Sequence, residues 1–317
     1  MVEKVLMIVG PTAVGKTSLS IKLAQHFNGQ VISGDSMQVY QNLNIGTAKV
    51  TAEEMQGVRH YLLDEIPITE RFSVADFKNK TQQAIQKIYM DNALPILVGG
   101  TGFYLQSFID NYHFGKDAYA STDKLIREKY YQFAEENGKQ ALWEKLNEID
   151  PDAASKIPIA NTVRIIRALE VYEKTGKLFS QQKDHPDENY DFLIIGLNTN
   201  RKILYERINE RVDIMMNDGL LEEAKYLFEN GGLDLPSGKG IGYKEFYPYF
   251  EGKESLQNCI SNVKKNSRHY AKRQLTWFRN KMDVNWFDLV QNFDEDYNKI
   301  IKLVTRWLKE NKNGEMA

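Results

Sequence analysis

Residues 5–17 read VLMIVGPTAVGKT, in which a short apolar run leads directly into a glycine-rich loop. The apolar run is β-branched at three of its five positions, as is typical of a strand buried in a parallel sheet. The loop matches G-x-x-x-x-G-K-[ST] in full, and apolar residues at helical spacing follow it at Leu19, Leu23 and Phe27. This succession of strand, loop and helix predicts a phosphate-binding P-loop at the end of the first strand.

The chemistry of this loop suits a polyphosphate. Its backbone N–H groups converge on phosphate oxygens, and the positive end of the following helix dipole reinforces them. Lys16 adds a point charge, and the hydroxyl of Thr17 can ligate Mg²⁺. Thr17 is thus the expected protein ligand of a magnesium cofactor. The residues expected to bind the phosphates are Gly10, Pro11, Thr12, Ala13, Val14, Gly15, Lys16 and Thr17.

Strand-like runs recur along the chain and alternate with helical stretches. Short apolar runs lie at 31–32, 96–98 and 192–195, and the stretch 73–91 opens with the capping-box pair Ser73 and Asp76. Such alternation predicts an α/β fold, a P-loop NTPase-like parallel sheet flanked by helices. The alternation is lost between 116 and 191, where the apolar spacing is helical throughout. We therefore expect a core of residues 1–115 and 192–317, with C-terminal helices, and an all-helical insertion domain at 116–191.

The bulk composition is that of an ordinary globular protein, with 42% hydrophobic and 26% charged residues among 317. No apolar run approaches the roughly 20 residues needed to span a bilayer, and the N-terminus lacks a signal-peptide pattern. A single cysteine, Cys259, excludes an internal disulfide and a cysteine-cluster zinc site. These features predict a cytoplasmic protein without membrane contact, which we expect to be a monomer. The net charge of −2 means that any nucleic-acid surface must be local.

Two polar segments follow predicted strands at the edge where ligands bind in open α/β sheets. Asp35 follows the strand at 31–32, and a carboxylate there can accept a proton or hydrogen-bond a substrate amine. The run at 96–98 ends in GGTG, where Thr101 offers a hydroxyl. P-loop kinases and ATPases usually carry an acid at such a position to help hold Mg²⁺, and none is present at the end of this run. This absence argues against a kinase.

A basic helix near the C-terminus indicates an RNA partner. Residues 256–282 contain no acidic residue, and Lys265, Arg268, Lys272 and Arg279 project onto one stripe of a helix. Apolar residues such as Val263 and Phe278, together with Tyr270, lie on the opposite side. The pattern suits a helix that is docked by one face and offers phosphate contacts on the other. A merely solvated basic face is the alternative, and the same holds for Arg164 and Arg167 one helical turn apart.

Seven segments, in this order, give the chain a specific resemblance. Together they resemble the tRNA dimethylallyltransferase (isopentenyl-tRNA transferase) family along nearly the whole length, although the P-loop alone would be unspecific. The resemblance implies transfer of a dimethylallyl group from dimethylallyl diphosphate to N6 of adenine 37 in tRNA, and an insertion domain that grips the anticodon stem-loop. The segments are GPTAVGKT at 10–17, DSMQVY at 35–40, NIGTAK at 44–49, GGTG at 99–102, RIIRALEV at 164–171, GIGYKE at 240–245 and RHYAKRQLTWFR at 268–279.

The resemblance also implies residue roles. Asp35 matches the general base, Thr101 a further catalytic residue, and Arg211 (less closely Arg207) the arginine on the phosphate side. Helical projection places Arg211 beside an apolar stripe, where it could also simply snorkel from the edge of the core. The implied tRNA-binding residues, with the basic stripe added, are Asp35, Ser36, Met37, Gln38, Thr101, Val163, Arg164, Ile165, Ile166, Arg167, Lys239, Gly240, Gly242, Tyr243, Lys244, Lys265, Arg268, Lys272 and Arg279.

Two other enzyme functions remain open at the level of sequence. A P-loop nucleotide kinase would share the phosphate loop, and ATP turnover with a small acceptor would reveal it. An adenylate prenyltransferase of the cytokinin type would share the loop and an equivalent of Asp35 but need not grip an anticodon stem. The helical insertion and the basic helix favour tRNA over AMP as the acceptor. A non-enzymatic RNA-binding protein would not need Lys16, Thr17 and Asp35 at one crevice.

Overall fold

The computed structural model describes residues 2–112, 121–181 and 189–310, with the side chains of 121–124 left out. The chain divides into two compact units, Met1–Ile109 with Asp187–Ala317, and Asp110–Pro186. Within the described ranges, no helix is long and apolar enough to cross a membrane.

The first unit is built on one six-stranded sheet in which every described pair of neighbouring strands is parallel. The strands are β1 Glu3–Val9, β2 Gly29–Ser33, β3 His60–Tyr61, β4 Leu94–Gly99, β5 Tyr190–Leu197 and β6 Asn285–Phe287. The order β3-β2-β4-β1-β5-β6 places the first strand between β4 and β5, away from both edges. This architecture confirms the predicted α/β fold with a parallel sheet.

Strand β1 is the centre of the core because both of its faces are covered. Its residues 5–9 are wholly buried, with Leu6 and Ile8 packed in one hydrophobic cluster and Val5, Met7 and Val9 in another. This two-sided burial is why the strand reads as a continuous apolar run rather than an alternating one. The helices of this unit are α1 Lys16–His26, α2 Ala52–Met55, α3 Val74–Met90, α4 Gly102–Ile109, α8 Arg201–Asn217, α9 Leu220–Glu229, α10 Tyr247–Phe250, α11 Leu256–Lys281 and α12 Phe293–Lys309, with α5–α7 in the second unit.

Helix α3 begins as the sequence predicts. The Ser73 hydroxyl accepts a hydrogen bond from the N–H of Asp76 at 3.1 Å, and the Asp76 carboxylate accepts one from the N–H of Ser73 at 2.9 Å. This reciprocal pairing satisfies two of the N–H groups that a helix start leaves without partners.

The second unit is helical throughout its described part, with α5 Ser121–Ile149, α6 Pro151–Ala154 and α7 Thr162–Thr175. Helix α5 is interrupted at Gly138, whose φ of +86° is left-handed. The wholly buried Glu170 is paired with Arg127 and Arg167, so its charge is compensated. The boundaries differ from the predicted 116–191: the unit begins at Asp110, and β5 already includes Tyr190 and Asp191.

Candidate active site at the carboxyl edge of the sheet

The glycine-rich loop joins β1 to α1 at the carboxyl edge of the sheet, and its backbone requires glycine. Gly10 has φ +145°, and a Cβ atom there would lie 2.4 Å from the carbonyl oxygen of Leu197 in β5. Any other side chain would therefore displace the loop from the neighbouring strand. The ammonium group of Lys16, at the first position of α1, donates to the carbonyl oxygen of Pro11 at 2.7 Å across the loop.

A cavity of about 410 Å³ opens beside this loop. Its volume falls in the range of roughly 300–1,000 Å³ found for small-molecule sites. The cavity brings together segments that are distant in sequence, and all of them belong to the first unit. Predicted site residues that line it are Thr12, Lys16, Thr17, Asp35, Ser36, Met37, Gln38, Arg211, Lys239, Gly240, Gly242 and Tyr243.

The remaining loop residues differ in what they can offer a ligand. Ala13 and Gly15 line a second cavity of about 430 Å³, which shares Lys16 and Thr17 with the first. Gly10, Pro11 and Val14 are buried, and the Val14 side chain packs in the hydrophobic core. The Val14 side chain therefore anchors the loop, and the predicted contact of this residue with a phosphate falls to its backbone N–H group.

Charges of both signs face one another in the first cavity. Burial and, to a lesser extent, the nearby Arg211 lower the pKa of Lys16 to about 8, while Asp35 opposes both effects. Burial raises the pKa of Asp35 above its ordinary value, against the opposing effects of the Met37 N–H and of Lys16. The site therefore holds a carboxyl group that binds a proton more readily than usual, next to a cation that can lose one near neutral pH.

Hydrogen bonds fix the acidic side of the site. The Asp35 carboxylate accepts from the N–H of Met37 at 2.8 Å, which orients it just beyond β2. The hydroxyl of Thr101, after β4, accepts from the N–H of Ser36 at 3.1 Å. Thr101 is thus close to the acid, although it stands behind Ser36 rather than among the residues that line the cavity.

The two candidate arginines on α8 occupy different places. Arg211 lines both cavities and is half-buried between the core residues Ile208 and Val212. Burial lowers its pKa, so its guanidinium does not extend into bulk water as a snorkelling arginine would. Arg207 is exposed, lines only the second cavity, and donates from Nε to the carbonyl oxygen of Ala13 at 2.8 Å. The geometry therefore favours Arg211 as the arginine that reaches a bound phosphate and gives Arg207 a role in holding the loop.

The site is completed by two residues of α11 that were not predicted from the sequence to belong to it. The side-chain amide of Gln274 donates to the carbonyl oxygen of Gly100 at 2.9 Å and accepts from the N–H of Thr12 at 3.1 Å. The hydroxyl of Tyr270 contacts Thr101 and Gln274, and burial raises its pKa to about 12. One signal was present in the sequence: Tyr270, Gln274 and Phe278 repeat every four residues, so polar groups share the helix face that packs inward.

The basic stripe of α11 has the expected exposure at three of its four positions. Lys265, Lys272 and Arg279 are exposed, whereas Arg268 is half-buried and donates to the Asn209 side chain at 2.5 Å. Lys272 and Arg279, with Arg201, line a third cavity of about 370 Å³ between α8 and α11. Arg201, Lys272 and Arg279 form no ion pair with any residue in ranges 2–112, 121–181 and 189–310.

Several residues expected to bind tRNA have less accessible side chains than assumed. Ile165 and Ile166 are buried in the core of the second unit, so their side chains support the surface, and a contact of these residues with tRNA stays a prediction. Tyr243 is only 1% exposed, and its hydroxyl donates to Glu223 at 2.7 Å. Val163, Arg164 and Lys244 are exposed, and Arg167 is half-buried beside Glu170. A residue that belongs to one of the motif segments therefore need not have its side chain at the surface.

A metal ion in this site would have few protein ligands. In the portion of the chain that the structure describes, no group of three or more His, Cys, Asp or Glu residues could hold one. The exposed hydroxyl of Thr17 makes no hydrogen bond with another described residue and lines both cavities beside the loop. This donor set would fit a magnesium ion that needs only one protein ligand, which the Thr17 hydroxyl would supply.

These features define an α/β protein in which a glycine-rich loop of the P-loop pattern and a half-buried carboxyl group share one cavity. A model of the IPP transferase family matches residues 38–281, and the chain belongs to this family. The tRNA dimethylallyltransferase of Ligilactobacillus salivarius is 58% identical over 308 residues, which cover 97% of this chain and 100% of the relative. The enzyme of that name from Enterococcus faecalis is 52% identical over 308 residues, 97% of this chain and 98% of the relative. The resemblance seen in the motifs is thereby confirmed.

Solved structures agree with the fold. The full-length tRNA isopentenylpyrophosphate transferase of Bacillus halodurans is 47% identical, with a TM-score of 0.73 over 96% of this chain and 97% of that one. A eukaryotic dimethylallyltransferase acting on tRNA is 30% identical, with a TM-score of 0.83 over 99% of this chain and 81% of that one.

Proposed function

We propose that the protein transfers a dimethylallyl group from dimethylallyl diphosphate to N6 of adenine 37 in tRNA and releases diphosphate. Membership of the IPP transferase family and the names of its relatives support the reaction class. The observation that carries the proposal is the shared cavity, in which Lys16 and Arg211 of the phosphate side face the carboxyl group of Asp35. One side of the cavity thus suits an anionic leaving group, and the opposite side carries a carboxylate that can accept a proton.

The reaction replaces the C1–O bond of the prenyl diphosphate with a C1–N6 bond and moves one proton from N6 to Asp35. The adenine N6 attacks C1 of the prenyl chain as the C1–O bond breaks, and the electron pair of that bond leaves with the diphosphate. N6 is a poor nucleophile because its lone pair is delocalised into the ring, so its proton must be taken as the new bond forms. Asp35 accepts that proton, and its raised pKa favours the transfer.

The phosphate side lowers the barrier by stabilising the charge that grows on the leaving diphosphate. Lys16, Arg211 and the N–H groups of the loop are the cationic and dipolar groups at this side. When bound at Thr17, Mg²⁺ would neutralise part of the same charge. Gln274 keeps the loop and the Gly100 turn in register, and Tyr270 with Thr101 orients the acidic side.

The acceptor adenine lies in a folded RNA loop and must be extruded to reach a crevice of this size. The exposed cations of α11 and the helical second unit, with Arg164 on its surface, are the surfaces we assign to the anticodon stem-loop. A tRNA substrate would place the activity in the cytoplasm, and nothing in the proposed site requires a second subunit.

A transfer assay tests the proposal. The wild-type chain, Mg²⁺ and radiolabelled dimethylallyl diphosphate are incubated with unmodified tRNA or with AMP, and digestion locates the label. Label at the adenine beside the anticodon supports the proposal, whereas label in AMP indicates a cytokinin-type enzyme. ATP turnover without prenyl transfer would indicate a nucleotide kinase. Asp35→Asn should keep tRNA affinity and lose most of the turnover, because it removes the proton acceptor and little else.

A further inference from the structure

A single carboxylate outside the reacting groups accepts hydrogen bonds from four donors beside the cavity. Glu223, in the first turn of α9, accepts from the N–H groups of Asn44 at 2.7 Å, Ile45 at 3.0 Å and Gly46 at 2.9 Å. It also accepts from the hydroxyl of Tyr243 at 2.7 Å. Successive backbone N–H groups that converge in this way form an anion-binding nest, which here is filled by the protein's own side chain.

The two segments that Glu223 joins are both walls of the active-site cavity. One wall is formed by 46–48 and the other by 239–243. The walls touch closely: a Cβ atom on Gly46 would lie 2.5 Å from the ring of Tyr243, so only glycine fits there. The carboxylate therefore holds the backbone of the first wall and ties it to Tyr243 of the second.

The 46–48 wall, which Glu223 joins to the 239–243 wall, is hydrogen-bonded directly to the acidic side of the site. The Gln38 side-chain amide donates to the carbonyl oxygens of Thr47 and Ala48, both at 3.2 Å, and accepts from the Ser33 hydroxyl at 2.8 Å. Because Gln38 lies three residues after Asp35, a shift of the 46–48 wall would be transmitted through Gln38 to the segment that positions the Asp35 carboxylate.

The phosphate loop is held by an independent set of contacts. Lys16 to Pro11, Gln274 to Thr12 and Arg207 to Ala13 are its fixed points, and Glu223 takes part in none of them. A change at Glu223 should therefore act on one half of the site and spare the other.

A role in the helix dipole alone does not account for Glu223. The neighbouring Glu222 is also in the first turn of α9 but is exposed, and it already places a negative charge near the helix start. Glu223 instead faces four donors, and burial together with this carboxylate raises the pKa of Tyr243 well above its ordinary value. The tyrosine thus remains a hydroxyl donor over the whole working range of pH.

We propose that Glu223 is a positioning residue that sets the acceptor half of the cavity, so that the tRNA adenine is seated against Asp35. The inference rests on the proposed function, because it names a determinant of the same site. Charge-assisted hydrogen bonds are stronger than neutral ones, and an amide in place of the carboxylate would turn two donors toward N–H groups that need an acceptor.

The test compares Glu223→Gln with Glu222→Gln, which removes the same charge from the same helical turn. Steady-state transfer is measured with tRNA and dimethylallyl diphosphate varied separately. For Glu223→Gln we expect the KM for tRNA to rise about tenfold or more, and that for dimethylallyl diphosphate to stay within about twofold. Glu222→Gln should behave as the wild type in both.

Tyr243→Phe supplies a second variant that keeps the carboxylate and removes one donor. It should raise the KM for tRNA less than Glu223→Gln does, and the double variant should fall short of the product of the two effects, because both act on one contact. Thermal unfolding of each variant shows whether the comparison is made on folded protein.

Two failures are distinguishable. If the wild-type chain transfers no label to tRNA, the proposed function is wrong and the positioning role falls with it. If the wild type is active and folded Glu223→Gln keeps the wild-type KM for tRNA, or raises both KM values alike, only the positioning role is overturned.

Discussion

The side-chain amide of Gln274 accepts a hydrogen bond from the N–H of Thr12 at 3.1 Å, across 262 positions of sequence. Its other end donates to the carbonyl oxygen of Gly100, so one residue of α11 joins the phosphate loop to the turn after β4. The side chain is only 5% exposed, which protects both bonds from water. The helix whose exposed cations we propose to contact RNA thus also holds the loops of the candidate site in register.

Replacing Gln274 with leucine should damage catalysis without abolishing RNA binding. The change leaves the Gly100 carbonyl oxygen buried without this donor, at a cost of about 1–3 kcal/mol, and removes the part-buried bond from the Thr12 N–H. We expect a higher KM for dimethylallyl diphosphate and a kcat lowered about tenfold or more, measured in the transfer assay. Gln257→Leu, on the exposed face of the same helix, is the matched control. Equal affinity losses for both substrates would instead indicate a general disturbance of α11.

The pH dependence of kcat/KM should be bell-shaped, because the two sides of the site titrate in opposite senses. On the acid side kcat/KM falls as Asp35 takes up a proton. Because the pKa of Asp35 is raised, this fall should occur at a higher pH than for an ordinary aspartate. On the alkaline side kcat/KM for dimethylallyl diphosphate falls as Lys16 loses its proton at about pH 8.

Lys16→Arg checks the alkaline limb, since arginine stays charged at every accessible pH. The variant should bind diphosphate with an affinity that no longer falls above pH 8, as measured by calorimetry on the unliganded protein. An alkaline limb that persists unchanged in this variant would assign it to another group.

Replacing each of the two arginines of α8, Arg207 and Arg211, should have a different effect on the kinetics of transfer. Arg211→Gln removes a half-buried cation next to the leaving group, and loss of one such donor typically lowers kcat by about 10²–10³-fold. Arg207→Gln removes an exposed contact to the Ala13 carbonyl, so we expect only a small loss, mostly in KM for dimethylallyl diphosphate. The reverse order would make Arg207 the arginine on the phosphate side.

Local patterns in the sequence predicted the centre of the fold. The strand, loop and helix of the P-loop and the capping box at Ser73 depend on neighbours within a few residues, and both are confirmed. The parallel sheet then brings Asp35 and Lys16 to one edge, since parallel strands share their direction. Strands β3 and β6 are two and three residues long, too short to leave a periodic pattern.

Contacts between distant segments were beyond the reach of these patterns. A helical projection shows which face of α11 packs inward, but not that Gln274 meets Thr12 there or that Tyr270 meets Thr101. The nest around Glu223 depends on a loop 177 positions or more away. Recognition segments also include residues that only support the surface, as the buried Ile165 shows.

The cations of the cavity between α8 and α11 should contribute to RNA affinity through phosphates alone. Arg201, Lys272 and Arg279 line it, none of the described residues that line it is acidic, and α8 begins beside it at Arg201. Each phosphate contact adds about 0.7–0.9 to the slope of log K against log salt, because a condensed counterion is released. Lys272→Gln and Arg279→Gln should each weaken tRNA binding and reduce this slope by about that amount, measured by fluorescence anisotropy at several salt concentrations. Lys87→Gln, an equal loss of charge on the exposed face of α3, should leave the slope unchanged. If all three variants reduced the slope alike, the effect would come from net charge and not from this cavity.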